Sequence, residues 1–410
     1  MLLALFTLAA IAGAIALWLL IFPTPRFAQP TGPFGIGTRL YEWTDATRLE
    51  PFTVGNNDHR RLVVQIWYPS FTSGPKQPYI DHAEVLTAIA RRLHIPRFLL
   101  RNLRNASTHS VRNGRPELGP YPVLINPSGF LGFRAANLFW IEDLASHGYV
   151  VVTLDQPGTA AASVWTDGKV VPVIADKEIF DRCMPLALSN APDQMTEMNG
   201  VTLPGGIIPF LAADLSFVLD QLQQMDASDS ALAGVLDLDE VGVFGMSLGG
   251  YIAPEACYRD RRFKACLAVD AGKSEIVARE GLDQPLMVIS RDADVMREER
   301  SKAGGWPESE IEYTVSSQSA LFEHNRGDAY YVTMNRMYHV NWTDAPLWSP
   351  LLKWMGLAGP IDPYLGFAIT NDYTRSFFDR YLKRHQATRR LSESRSEVRL
   401  DVRMSGEVSR

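Results

Sequence analysis

The most informative segment of the chain is Val241-Gly-Val-Phe-Gly-Met-Ser-Leu-Gly-Gly250. Its first four residues form an apolar run that is typical of a buried strand, and the residues from Tyr251 onward have a helical pattern. Between them stands Gly-x-Ser-x-Gly, whose glycines permit a sharp, strained turn that presents the serine hydroxyl at the edge of a sheet. The following helix N-terminus favours a developing anion. The stretch predicts that Ser247 is a nucleophile; the alternative is a glycine-rich turn with an incidental serine.

Short apolar runs alternate with helical patterns over the rest of the chain. The predicted strands are Leu62–Trp67, Val123–Asn126, Val150–Leu154, Val241–Phe244, Ala265–Val269, Leu286–Ile289 and Tyr330–Met334. The predicted helices are Ala135–Ser146, Ile208–Met225, Leu248–Tyr258 and Asn371–Arg384. Alternation of this kind indicates an α/β protein with a mostly parallel central sheet and helices on both faces. Together with the serine turn, it predicts the α/β-hydrolase fold.

Composition narrows the class of protein further. The chain has 410 residues and a net charge of −6, so no overall basic field would attract nucleic acid. Its three cysteines (Cys183, Cys257 and Cys266) lack the spacing of a disulfide framework or a zinc site. No phosphate-binding loop, dinucleotide fingerprint or histidine pair at metal-ligand spacing is present. We therefore expect no cofactor, no metal and no nucleic-acid partner.

The N-terminal segment differs from the rest of the chain. Residues 1–22 carry no charged side chain and are about as long as a helix that spans a bilayer, so we expect an uncleaved transmembrane anchor and a membrane location. A cleaved signal peptide, with the product secreted or periplasmic, is the alternative. Residues 23–40 are rich in proline and glycine and predict a linker. Residues 41–390 then form the catalytic domain, and 391–410 a polar tail.

Residues 82–104 do not fit the alternation of strands and helices. They are amphipathic and basic, and Pro96 divides them into two helices, which predicts a helical insertion. One interpretation is an ordinary pair of surface helices packed on the core. The other is a lid or membrane-surface element that admits lipid-like substrates.

A serine hydroxyl needs a base to act as a nucleophile at neutral pH. His339 is the best placed of the 8 histidines, because in this fold the base lies on a loop beyond the last strand. His324 and His385 are weaker candidates: the first lies in a polar segment and the second in a basic terminal helix.

The base needs a carboxylate to orient it, and the reaction needs donors for the oxyanion. Asp270 and Asp294 each follow a predicted strand, and the residue pattern alone does not choose between them. Leu248, directly after the nucleophile, supplies one backbone N–H. Phe130, in the glycine-containing loop after Val123–Asn126, supplies the other.

Five ordered segments resemble the platelet-activating-factor acetylhydrolase group of serine esterases and its dienelactone-hydrolase-like bacterial relatives. They cover residues from about 60 to 385: Val64-Gln-Ile-Trp-Tyr-Pro69, Ser128-Gly-Phe-Leu-Gly-Phe-Arg134 with Asp143-Leu-Ala-Ser-His-Gly-Tyr149, Gly245-Met-Ser-Leu-Gly-Gly250, Arg262-Phe-Lys-Ala-Cys-Leu-Ala-Val-Asp270 and His339-Val-Asn-Trp-Thr-Asp344. In that family the acid ends the strand after the serine turn, so the resemblance implies Asp270. Met246 and Ser128 stand where the family has histidine, which changes the polarity of the pocket.

The resemblance implies a serine carboxylic ester hydrolase that cleaves short-acyl esters, from modified phospholipids or smaller molecules, without a metal. Two alternatives stay open. One is a lipase or polyester hydrolase that uses Asp294 as the acid. The other is a membrane-anchored binding protein that keeps the hydrolase fold without catalysis. The expected partners are a small-molecule or lipid ester and, through the N-terminal helix, a membrane.

Overall fold

A central sheet of eleven strands organises the computed structural model, which describes residues 2–53, 58–174, 195–228, 231–383, 391 and 396–406. Its strands are β1 (Gly35–Leu49), β2 (His59–Ser70), β3 (Lys76–Pro78), β4 (Ser107–Arg112), β5 (Tyr121–Pro127), β6 (Val150–Asp155), β11 (Leu236–Met246), β12 (Phe263–Val269), β13 (Leu286–Ser290), β14 (Ala329–Met334) and β15 (Val398–Arg403). Two short ribbons lie outside it and comprise β7 (Ala162–Val164), β8 (Val170–Pro172), β9 (Met195–Met198) and β10 (Val201–Pro204).

The strand order is β15-β14-β13-β12-β11-β5-β6-β2-β1-β4-β3. The run from β14 to β6 is parallel throughout, whereas β15 and β2 pair antiparallel at its two sides. The parallel strands are buried along most of their length, which explains why they appear in the sequence as continuous apolar runs. The predicted α/β architecture with a mostly parallel sheet is confirmed.

Helices cover both faces of the sheet. The helices of the described residues are α1 (Leu2–Ile21), which is exposed along most of its length, α2 (Ala83–Arg92), α3 (Leu138–Ser146), α4 (Ile207–Ser228), α5 (Leu248–Arg259), α6 (Glu275–Glu280), α7 (Ala293–Ala303), α8 (Glu308–His324), α9 (Leu351–Trp354) and α10 (Pro363–Tyr381). Because successive strand residues face opposite sides, Phe244 packs in one core cluster with α3 and α10. Its neighbour Val243 packs in the other cluster, with α4 and α5.

The N-terminal prediction requires correction. Residues 1–22 were expected to form a transmembrane anchor, but among the residues that the structure describes no helix combines the length and the apolar character needed to cross a membrane. The end of α1 contacts the rest of the chain instead. The Asn102 side chain donates to the Phe22 carbonyl at 2.7 Å, and the Arg101 guanidinium lies over the Trp18 ring.

The predicted insertion and tail both contain regular structure. Residues 82–104 hold α2 and a 3₁₀ helix, Arg97–Leu103, whose apolar side chains Val85, Leu86 and Leu100 are buried in the core. Six residues of the predicted polar tail form β15, which pairs with β14 at the sheet edge.

Candidate active site

The serine turn connects β11 to α5. Ser247 has φ 59° and ψ −125°, a strained conformation for a residue with a side chain. The turn is possible because its glycines lie against backbone: a Cβ on Gly249 would lie 2.6 Å from the carbonyl oxygen of Pro127, and one on Gly245 would lie 2.3 Å from that of Gly249. Because Gly249 has no Cβ, the serine turn can pack directly against the end of β5. The missing Cβ of Gly245 lets the two sides of the turn approach each other.

The structure brings Ser247, His339 and Asp270 into one chain of hydrogen bonds. His339 Nε2 lies 2.9 Å from Ser247 Oγ, and His339 Nδ1 lies 2.7 Å from Asp270 Oδ2. An ionised carboxylate only accepts, so Nδ1 carries the proton and the Nε2 lone pair is free to accept from the serine hydroxyl. This is the arrangement that a serine nucleophile requires from its base and its acid.

Asp270 is fully buried directly after β12, with a left-handed φ of 45°. Burial alone would raise its pKa, but the charge of Arg291 and the hydrogen bond from His339 outweigh burial and hold the pKa of Asp270 below its ordinary value. Asp294 lies in the first turn of α7 with its side chain 93% exposed, and it pairs with Arg297 at 2.9 Å. The geometry thus places Asp270, and not Asp294, against the histidine.

The other predicted bases lie elsewhere. His324 ends α8, and its Nδ1 lies 2.9 Å from the Ala278 carbonyl oxygen. His385 lies outside the described residues.

The loop after β5 approaches the nucleophile closely. A Cβ on Gly129 would lie 3.4 Å from Ser247 Cβ and 3.3 Å from the Met246 carbonyl oxygen, so glycine permits this approach. The same loop holds Phe130. Leu248 is the first residue of α5, and its N–H therefore has no acceptor within the helix. Both amides stay predicted oxyanion donors, on the two segments that flank Ser247.

Buried ion pairs fix that loop. Arg134 donates from its backbone and its guanidinium to Asp155 at the end of β6, and from Nε to Gln65 of β2 at 3.0 Å. Its guanidinium also contacts Asp81. Arg134 is one of the residues that carried the resemblance, and its contacts explain how the loop keeps its shape.

The histidine loop is anchored to α3. The oxygens of its Asp344 carboxyl group accept from the backbone amides of Leu138 at 2.7 Å and Phe139 at 3.2 Å. Asn341 Oδ1 accepts from the backbone amides of Tyr338 and Gly359, which closes the turn around His339. Burial raises the pKa of Asp344 to about 8, although the two amide hydrogen bonds favour the charged form.

A small, mostly apolar cavity of about 170 Å³ opens beside Ser247. It is lined by Gly129, Phe130, Leu131, Gly132, Phe133, Ala136, Asn137, Met246, Ser247, His339, Val340, Thr343 and Trp348. None of its lining residues comes from the segment 82–104. Four other cavities among the described residues are larger, from about 180 to about 660 Å³, and none of them is lined by a residue that contacts the Ser247 hydroxyl.

Three residues of this region were not predicted from the sequence: Arg291, Glu299 and Trp306. Arg291 contacts Asp270 and Glu299, and the Trp306 ring lies 5.0 Å from that of His339. A charged residue directly after a parallel strand, as Arg291 is after β13, was the one available signal. Among the described residues no His, Cys, Asp and Glu cluster is arranged to hold a metal ion, and Cys257 and Cys266 are buried free thiols. Cys183 lies outside the described residues.

No family model matches the chain. The sequence is 20% identical over 348 residues to the platelet-activating factor acetylhydrolase of Cavia porcellus, which covers 81% of this chain and 76% of that protein. The structure is similar to a ferulic acid esterase from Streptomyces cinnamoneus, with a TM-score of 0.69 and 24% identity over 92% of this chain and 99% of that one.

The chain has the α/β-hydrolase fold. The likeness in sequence and the likeness in structure together support an esterase of this type, and the resemblance predicted from the five segments is confirmed.

Proposed function

We propose that the protein is a serine carboxylic ester hydrolase that cleaves short-acyl esters through an acyl-enzyme. The observation that carries the proposal is the hydrogen-bonded chain from Ser247 through His339 to the buried Asp270. The names of the two similar proteins, an acetylhydrolase and a ferulic acid esterase, support ester hydrolysis.

The first half-reaction forms the acyl-enzyme. Ser247 Oγ attacks the ester carbonyl carbon while His339 Nε2 takes the hydroxyl proton. The carbonyl oxygen becomes an oxyanion, toward which we assign the N–H groups of Leu248 and Phe130. The bond to the alcohol oxygen then breaks, and His339 returns the proton to the departing alcohol. Asp270 stabilises the charged imidazole throughout.

The second half-reaction releases the acid. Water enters where the alcohol left, gives a proton to His339 Nε2 and attacks the acyl carbon. Collapse of the second oxyanion breaks the bond to Ser247, which regains its proton from His339. No step requires a metal ion or a cofactor.

The cavity beside Ser247 supports a short acyl group. Its walls include Phe133, Ala136, Met246 and Trp348, and its volume of about 170 Å³ suits a small apolar substituent better than a long chain. Met246, which stands where related esterases have histidine, adds apolar surface at this position.

Hydrolysis of p-nitrophenyl esters from acetate to palmitate tests the proposal. We expect the highest kcat/KM for the shortest acyl chains, and no activity above background for Ser247→Ala. Asp294→Asn, a change on the exposed start of α7, is the matched control and should retain activity. Equal hydrolysis by Ser247→Ala would contradict the assignment of the nucleophile, and a preference for palmitate would contradict the short-acyl pocket.

A further inference from the structure

A buried arginine lies behind the acid of the site. Arg291 directly follows β13, and its side chain is 1% exposed. Its Nε donates to Asp270 Oδ1 at 3.1 Å and lies 3.1 Å from Oδ2, so it contacts both oxygens of the carboxylate that also accepts from His339. The opposite side of the guanidinium donates to Glu299 on α7.

Trp306 covers this group of charges. The Arg291 guanidinium lies over its ring at 5.2 Å from the centroid, and the same ring meets the His339 imidazole at 5.0 Å and an angle of 64°. The arginine therefore contacts the acid directly and reaches the base through one aromatic side chain. The side chains of Arg291 and Asp270 are 1% and 0% exposed, and buried charges act more strongly on one another than charges at a surface.

We propose that Arg291 is a positioning residue that holds the Asp270 carboxylate ionised against His339, and that Glu299 opposes the arginine charge, so that the pair sets the lower pH limit of the activity. This inference rests on the proposed function, since it assigns a role to residues that support the Ser247 site.

Removing the charge of Arg291 and removing the charge of Glu299 should shift the pH–rate profile in opposite directions. Catalysis needs the neutral form of His339, because only a neutral imidazole can accept the proton of the serine hydroxyl. Without the Arg291 charge, Asp270 and His339 together bind a proton more tightly, whichever of the two carries it, and the acid limb of the pH–rate profile moves to higher pH. Without the Glu299 charge, the arginine acts on Asp270 unopposed, and the acid limb moves to lower pH.

Other charged and titratable groups face this region. Lys273 lies in the loop after Asp270, but its Nζ donates to the carbonyl oxygens of Gly250 and Ala271. Burial lowers its pKa to about 7. Tyr331, Asp292 and Arg399 lie on the side of β14 and β15, where Arg399 pairs with Asp292. None of these groups is changed in the variants, and the two variants are compared with the parent chain under the same conditions.

The experiment measures kcat/KM for p-nitrophenyl acetate against pH in Arg291→Gln, Glu299→Gln and the parent chain. Labelling with a fluorophosphonate counts the competent sites. We expect the midpoint of the acid limb to move about one pH unit higher in Arg291→Gln and to move to lower pH in Glu299→Gln. Arg291→Lys should bring the limb back toward the parent value, and Asp294→Asn, which leaves these charges intact, should not shift it.

Shifts in the same direction for both variants, or no shift in either, would overturn the proposal. If Arg291→Gln fails to fold, the Glu299→Gln result decides alone, because its side chain keeps the shape of glutamate. NMR titration of the His339 ring in a Ser247→Ala background is the second readout. Opposite shifts there support the role of Arg291 even if no ester is hydrolysed, which separates failure of this inference from failure of the proposed function.

Discussion

At the scale of single residues, the site depends on which carboxylate faces the histidine. Asp270 and Asp294 both follow strands of the same sheet, so strand patterns alone left them equivalent, and the family resemblance favoured Asp270. The structure separates them by their surroundings: Asp270 is buried against His339 and Arg291, whereas Asp294 is exposed beside Arg297. Contacts between residues so distant in sequence cannot be obtained from local patterns.

Two conservative substitutions, Asp270→Asn and Asp294→Asn, should therefore differ greatly in their effect on kcat. Asp270→Asn should lower kcat by about 10⁴-fold, because the amide no longer fixes the tautomer of His339 or stabilises its charged form. Asp294→Asn should stay within about twofold of the parent, since nothing in the site depends on it. Steady-state kinetics on p-nitrophenyl acetate provide the measurement. Comparable losses in the two variants would remove Asp270 from the role of acid.

At the scale of elements, the strands that could be predicted from the sequence are those that are buried on both faces. All seven predicted strands lie within observed strands, because a strand covered on both faces must be apolar along its length. β1 and β15 were not predicted: they mix polar and apolar residues, and their burial patterns are irregular. The serine turn was predictable because its strand, glycines and helix are contiguous, whereas the anchoring of the histidine loop by Asp344 joins segments about two hundred residues apart.

The buried Asp344 predicts how stability depends on pH. Its folded pKa of about 8 lies above its ordinary value of 3.8, so the folded chain retains a proton that the unfolded chain releases. The contribution of this proton to the free energy of unfolding is complete below about pH 4. It decreases by up to about 1.4 kcal/mol per pH unit as the pH rises, and it is lost once the pH has passed about 8. The asparagine of Asp344→Asn does not titrate, so this part of the pH dependence should be absent in that variant.

Urea unfolding at a series of pH values measures this effect. The free energy of unfolding of the parent chain should fall more steeply between about pH 5 and 8 than that of Asp344→Asn. Asp294→Asn is the control, because its exposed carboxylate should leave the slope unchanged. Parallel curves for the parent chain and Asp344→Asn would show that Asp344 is ionised in the folded protein.

At the scale of the whole molecule, a buried ion cluster ties the antiparallel side of the sheet to the helical layer. Arg60 of β2 donates to Asp214 of α4 and to Glu50, and all three side chains are nearly inaccessible to solvent. The guanidinium also reaches the Pro157 carbonyl oxygen after β6. The N-terminal segment illustrates the opposite situation: its apolar composition predicted a membrane anchor, and the described structure contains no membrane-spanning helix.

Arg60→Met should destabilise the fold strongly. Removing the arginine leaves the buried Glu50 without its ion pair, whereas Asp214 keeps its pair with Arg48 at 2.8 Å. Breaking a buried ion pair by removing one partner typically costs about 3–5 kcal/mol. The neighbouring Arg61→Met removes partly exposed ion pairs with Glu42 and Asp167 and should cost less than about 1 kcal/mol. Denaturant unfolding of the two variants makes the comparison, and similar losses would mean that the Arg60 cluster does not hold the layers together.

Covalent labelling shows which residue of the chain is the nucleophile. The full chain is treated with a fluorophosphonate, digested and analysed by mass spectrometry, with Ser247→Ala and His339→Ala treated in parallel. We expect one modified peptide, containing Ser247, with no such adduct in Ser247→Ala and much slower labelling in His339→Ala. Absence of labelling in the folded parent chain, or modification of a different serine, would contradict the assignment of Ser247 as the nucleophile of a serine esterase.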